Sequence, residues 1–314
     1  MKSKIFQFSF LLVGLMLILL TSCEKKETKL QQPKKLSIIT TLFPTYDFTR
    51  EIVKDKANVS LLLPPGVEPH SFNPKPSDIT EIHKADVFII TNIYMEPWAT
   101  EILKGVTNPN LIVVDSSKGI KFLKETHHHS HGKEHKHEAF DPHIWLDFSN
   151  ALIMIDNILE ELIKKDPANA EFYKNNAENY KLKLIQLDEQ FKNSLSNCKK
   201  NIFISGGHLS FSYFANRYNL KYLSAYGVNP EAEPTPRELK KIINLIKKHN
   251  LKYIFYEELI TPRIAETISK ETGVQLLMLH SAHNISKDDF ATGQTFLAIM
   301  EKNLMNLKKA LECL

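Results

Sequence analysis

The chain is 314 residues long, with 40 Lys and Arg against 36 Asp and Glu and a formal net charge of +4. That length accommodates two lobes. The near balance of charge, with no long Lys/Arg block, argues against nucleic acid as a partner, because such binding needs a concentrated basic footprint.

The N-terminus reads as an export signal rather than as fold. Lys2 and Lys4 form a short basic start, and residues 8–20 are apolar apart from Ser9 and Gly14. The run is shorter than the ~20 apolar residues of a spanning helix, so it is the h-region of a secretory signal. It ends in Leu20-Thr21-Ser22-Cys23, which resembles the bacterial lipobox, whose cysteine is lipidated and becomes the new N-terminus. Residues 1–22 are therefore expected to be removed, with Cys23 as the lipidation site. Their loss takes Lys2 and Lys4 with it and lowers the 40 basic residues to 38 against an unchanged 36 acids. Residues 23–35 are charged, Gln-rich and nearly free of apolar side chains, as in a flexible tether. With Cys23 lipidated, Cys198 and Cys313 remain. An oxidising compartment permits them to pair, but sequence does not place their Cα atoms within bridging range.

From Leu36 short apolar runs alternate with helical patterns. Residues 36–41, 58–63, 87–91 and 111–115 are β-branched runs bounded by polar or Pro-rich turns and read as buried strands. Amphipathic segments such as 76–84 and 97–104 lie between them. A second series of strands is expected at 201–205, 221–225, 252–256 and 274–279, separated by helices at 211–217, 236–248 and 262–272. Pro236 and Pro262 each follow a threonine, the order of an N-cap and an N1 proline. Four strands alternating with helices, twice over, predict an α/β protein of two lobes with mostly parallel sheets. The first lobe is placed at 36–148 and the second at 198–314.

The segment between them, 149–197, reads as a linking helix. Residues 149–165 are amphipathic, Asp166-Pro167 marks a cap and a restart, and 168–197 runs on without Gly or Pro. Tyr173, Tyr180, Leu184, Leu187 and Phe191 recur there at threes, fours and sevens. About thirty residues at ~1.5 Å each predict a rod of ~45 Å. Asn175 and Asn176 interrupt its apolar stripe, which favours a rod packed across both lobes over a coiled coil.

Thirteen histidines are present, unevenly spread. Six of them, His127, His128, His129, His131, His135 and His137, fall in the stretch 125–139 together with Glu125, Glu134 and Glu138. No apolar period is possible there, so this is a solvated loop. Imidazole suits zinc, copper and nickel better than manganese or magnesium, and histidine at this density points to shallow metal capture. Other histidines stand just past the carboxyl ends of predicted strands, where parallel α/β sheets place ligands. His70 follows the second strand, His208 the fifth, and His280 and His283 the eighth. His143 lies at the end of the first lobe. Their recurrence in both lobes predicts convergence on one cleft.

Long stretches of this chain resemble one family. PGVEPHSFNPKPSD, DPHIWLD, DPANAEFYKNNAENYKLKLIQLD, EAEPTPRELKKI and NLMNLKKAL are similar to the zinc and manganese solute-binding lipoproteins of ABC transporters, the cluster A-I or ZnuA/TroA-like family. The resemblance implies two (β/α)4 lobes joined by a long rigid helix, with metal held between them. It also implies an extracytoplasmic monomer, anchored to the membrane by lipid, that delivers its metal to a permease. The family's first three ligands map onto His70, His143 and His208, with Glu68, Asp141 and Asp147 beside them as candidates to orient imidazole N–H groups. Many relatives carry an acidic fourth ligand after the last strand. Here that loop reads LHSAHN, and the acidic position matches His283, with His280 as the alternative. Four imidazoles favour Zn2+ over Mn2+, which prefers carboxylate and water oxygens.

Two other functions compete with this reading. A secreted zinc hydrolase would leave one coordination position to water, but no HExxH or GxSxG motif occurs, so the chain is not expected to be an enzyme. A surface adhesin finds no support in repeats or a long exposed apolar face.

Overall fold

The computed structural model describes residues 34–124, 140–228, 233–259 and 261–314. The export signal, Cys23, most of the tether and all six histidines of 125–139 lie outside the described residues. No helix among the described residues is long and apolar enough to cross a membrane.

The first lobe runs β1 (Leu36–Thr40), α1 (Phe43–Val53), β2 (Ala57–Leu61), α2 (Pro76–Lys84), β3 (Val87–Ile90), α3 (Pro97–Gly105) and β4 (Ile112–Asp115). Its sheet has the order β2-β1-β3-β4, every pair parallel. All four residues of the inner strand β3 are buried, as expected where helices cover both faces of a parallel sheet. The second lobe repeats the plan with β5 (Ile202–Ser205), α6 (Ser212–Arg217), β6 (Lys221–Ser224), α7 (Pro236–His249), β7 (Tyr253–Tyr256), α8 (Arg263–Thr272) and β8 (Gln275–Met278). Its parallel order is β6-β5-β7-β8. The chain closes with α9 (Lys287–Ala291) and α10 (Phe296–Leu311). All eight strands therefore match their expected positions to within about two residues. Thr235 caps α7 in a reciprocal box with Glu238, as its position before a proline predicts. Thr261 does not act likewise. Pro262 itself occupies the N-cap position of α8, and Thr261 contributes only its carbonyl, to the Arg263 N–H.

The middle segment breaks at Asp166-Pro167, where the sequence predicts a cap and a restart. It forms α4 (Phe148–Lys165), a 3-10 turn at Pro167–Asn169, and α5 (Ala170–Leu195). The two helices fold back on each other. Lys181 of α5 reaches Asp156 of α4 at 2.8 Å, and Arg217 ties Asp147, before the start of α4, to Asp188, near the end of α5. Asp166 fixes the reversal by accepting hydrogen bonds from Tyr173 Oη and Asn169 Nδ2, both at 2.7 Å. Only α5, 26 residues and ~39 Å long, is the rod. Tyr173, Tyr180, Leu184, Leu187 and Phe191 all lie on its buried face. Asn176, which breaks the stripe, donates to the Ile52 carbonyl at the end of α1.

One hydrophobic core runs through both lobes. Phe48 of α1 meets Phe296 of α10 edge-on at 5.2 Å, Phe148 of α4 packs on Phe191 of α5, and Phe191 packs on Phe214 of α6. Each such ring contributes roughly 1.5–3 kcal/mol by burial, so parting the lobes there costs several times that. Polar contacts reinforce the joint. Buried Asp47 of α1 accepts from the Phe296 N–H and Tyr180 Oη, and Trp145 Nε1 donates to the Ser281 carbonyl. Residues Lys35–Leu314 accordingly form one compact unit. Cys198 and Cys313 are joined in a disulfide across 115 residues, which settles the pairing left open above and staples the end of α5 to the end of α10. Replacing either cysteine by serine is expected to lower unfolding stability by about 2–5 kcal/mol while leaving far-UV dichroism intact. Coincident urea midpoints for the variant and the oxidised parent would contradict this.

Candidate metal centre

Four histidines reach one point from four loops. His70 sits in the 3-10 turn Pro69–Ser71 after β2, His143 immediately precedes the turn Ile144–Leu146, His208 follows β5, and His283 follows β8. Each offers one nitrogen, and these four atoms lie within 4.8 Å of one another. His143 Nε2 is 3.2 Å from His70 Nε2 and 3.0 Å from His208 Nε2. A tetrahedral zinc with bonds of ~2.0–2.1 Å spaces its ligand nitrogens by ~3.3–3.4 Å, close to both separations. His143, His208 and His283 are fully or almost fully buried, so the cluster is largely shut off from water.

Buried carboxylates decide which nitrogens face inward. His143 Nδ1 lies 2.8 Å from Asp141 Oδ1 and His208 Nδ1 lies 2.6 Å from Glu257 Oε2. A carboxylate can only accept, so both Nδ1 atoms carry the proton, and in the neutral rings both Nε2 atoms are left to present lone pairs to the centre. Burial pushes the Asp141 carboxyl up to about 6 despite the His143 N–H bonded to it, and it remains ionised at neutral pH. The glycine pair before His208 makes the second contact possible. A Cβ on Gly207 would collide with the Glu257 carboxylate, and one on Gly206 would stand 2.6 Å from the Ala265 Cβ.

The fourth histidine is held differently. His283 Nδ1 is buried with no hydrogen-bond partner, while its Nε2 lies 3.7 Å from Glu258 Oε1. Ala282, in left-handed backbone at φ 59, turns the chain between His280 and His283. His280 is not brought into the cluster. Its Nδ1 lies 3.1 Å from Glu258 Oε1 and 3.0 Å from the Ala282 nitrogen.

The protonation balance follows from burial and charge. Desolvation, together with the neighbouring imidazoles, drives His70 well below the ordinary histidine value, and burial does the same to His143 and His283. Burial also works against the His208 cation, but the Glu257 carboxylate outweighs it, with help from Glu68 and Glu258, and the His208 pKa is raised. Burial opposes the charge on Glu258 too, yet His280 and His283 more than offset it and keep that carboxyl well below the usual range.

The acids named from sequence divide. Asp141 orients His143. Glu68 accepts the His70 backbone N–H at 3.2 Å rather than its ring. Asp147 turns away to cap α4 through the Ser149 N–H and to pair with Arg217. Glu257 and Glu258, which do touch histidines, were not singled out from sequence. The signal was present, because both stand just past β7, the same strand-end position that marked the histidines.

The stem of the His-rich stretch adjoins this centre. Lys124 and Phe140 pair as an isolated antiparallel bridge, and Asp141 N–H donates to the Leu123 carbonyl. Tyr213 Oη accepts the Leu123 N–H at 2.9 Å and donates to the Asp141 carbonyl at 3.0 Å.

Known proteins match along the same length. A family model described as the zinc-uptake complex component A, periplasmic (ZnuA), matches residues 38–310. The high-affinity zinc uptake system protein ZnuA of Bacillus subtilis is 34% identical over 308 residues, covering 94% of each chain. The zinc-binding lipoprotein AdcA of Streptococcus pneumoniae is 33% identical over 307 residues, covering 96% of this chain but 60% of AdcA. The Zn(II)-bound ZnuA-like domain of S. pneumoniae AdcA superposes with a TM-score of 0.76 at 32% identity, covering 89% of this chain and all of that one. Because the matched span takes in both lobes and all four converging histidines, the chain belongs to the ZnuA family.

Proposed function

We propose that this protein captures Zn2+ between its lobes through His70, His143, His208 and His283 and passes it to the permease of a metal ABC transporter. The observation that carries this is the convergence of the His70 and His208 Nε2 atoms on His143 Nε2 at 3.2 and 3.0 Å, the spacing of nitrogens that share one tetrahedral metal. Four nitrogen donors complete a tetrahedral shell and leave no position for a reactive water, which supports capture and release over hydrolysis. The absence of a carboxylate from the four-residue group supports zinc over manganese.

Around that centre the rest of the chain takes its proposed parts. Lipid on Cys23 would hold the protein at the outer face of a membrane, with residues 24–35 as the tether. His127, His128, His129, His131, His135 and His137 would gather dilute zinc. The clamped stem of their stretch, ending one residue before Asp141, supports a short path from that collector to His143.

Three outcomes test this. Native mass spectrometry of the mature chain with equal Zn2+ and Mn2+ is expected to show one tightly held zinc that survives deletion of 127–137. Loss of all tight binding on deletion would make the loop the real site. Binding requires neutral imidazoles. His70, His143 and His283 are lowered and stay neutral into acid, whereas His208 is raised and takes its proton first. Zinc affinity should therefore fall about tenfold per pH unit below the His208 pKa, one proton for one metal. A chelator competition series from pH 8 to 5 with no slope would refute the histidine shell. Glu257→Gln, which removes the charge behind His208, is expected to weaken zinc by about 10–100-fold in the same assay.

A further inference from the structure

The strand order of the second lobe puts β7 between β5 and β8. The loop after β5 carries His208, and the loop after β8 carries His280 and His283. Two consecutive acids, Glu257 and Glu258, emerge from β7 between those loops. Glu257 lies against His208 of the β5 loop, whereas Glu258 lies against His280, Ser281 and His283 of the β8 loop.

Glu258 is buried, with 5% of its side chain exposed, and among the described residues its side chain bonds and pairs with the β8 loop. Its Oε1 accepts the Ser281 hydroxyl at 2.8 Å and its Oε2 accepts the Ser281 N–H at 3.1 Å. Its Oε1 also stands 3.1 Å from His280 Nδ1 and 3.7 Å from His283 Nε2. The carboxylate thus occupies the far side of the His283 ring from Nδ1, the nitrogen that is buried without a partner. The His280 ring, whose Nδ1 accepts the Ala282 N–H at 3.0 Å, stays outside the four-histidine cluster.

We propose that Glu258 is the positioning residue of the fourth ligand, its carboxylate beside His283 Nε2 holding the proton on that nitrogen so that the partnerless Nδ1 faces the metal. This rests on the metal centre proposed above. Glu258 also supplies negative charge behind a ligand set of neutral imidazoles, which stabilises a bound dication and raises the basicity of the ligand nitrogen.

A double-mutant cycle separates this role from a merely structural one. Zinc affinities would be measured by chelator competition for the parent, Glu258→Gln, His283→Ala and the combined variant, with apo melting curves as the folding control. Glu258→Gln is expected to cost about 10–100-fold, but little beyond the His283→Ala loss when the two are combined, because it acts through His283. Co2+ bound to Glu258→Gln should show weaker visible absorption as a water replaces the fourth imidazole. Native affinity and an unchanged Co2+ spectrum in Glu258→Gln would overturn the proposal, and so would fully additive losses. Should the glutamine variant fail to fold, Glu258→Asp keeps the charge but withdraws it from the ring, and the same non-additivity is expected of it. His143→Ala is the control for the site itself. If it retains tight zinc, the metal centre is wrong. If it loses zinc while the Glu258 variants do not, only the positioning role fails.

Discussion

An imidazole has two nitrogens, and a metal can use one only if the proton is kept on the other. In this protein that condition is met by carboxylates buried behind the rings. Asp141 takes the Nδ1–H of His143, and Glu257 takes that of His208. The two Nε2 atoms are thereby committed to the same small volume, 3.0 Å apart. The arrangement is costly, because each carboxylate is removed from water. A dication among the rings would offset that cost. On the proposed reading, the acids behind the rings shape the site as much as the histidines themselves.

Holding such a cluster requires a frame that does not yield. Two of the histidines come from the first lobe and two from the second, so any drift between lobes would disperse them. The shared core answers this, with Phe48, Phe148, Phe191, Phe214 and Phe296 in continuous contact from α1 to α10. Asp47 adds a buried node, its carboxyl pushed up to about 6 by burial yet accepting from both Phe296 and Tyr180. With α5 lying against both lobes and its end stapled by Cys198–Cys313, wide hinge opening is disfavoured.

Much of this was legible in the sequence, for identifiable reasons. Inner parallel strands such as β3 and β5, buried throughout, are continuous apolar runs, and the edge strands still stand out as short apolar stretches between turns, so all eight could be located. Ligands collect past strand ends, so the histidines there could be named. What escaped was what depends on tertiary direction. Asp166-Pro167 marks a break in the middle segment, but nothing local says that α4 and α5 fold back on one another. Asp147 is close to His143 in sequence, yet its place before α4 commits it to capping and to Arg217. Acids after a strand are common, and only the order β5-β7-β8 gives Glu257 and Glu258 their separate partners. Likewise, Cys198 and Cys313 are too far apart in sequence for spacing to announce their bond.

The central claim is a shell of four imidazole nitrogens and no carboxylate. Zinc K-edge X-ray absorption on the loop-deleted chain carrying one equivalent of zinc measures that shell directly. The account predicts four nitrogen scatterers at ~2.0–2.1 Å with the outer-shell scattering of four imidazole rings. A shell of three rings with a carboxylate or water oxygen in the fourth place would contradict it.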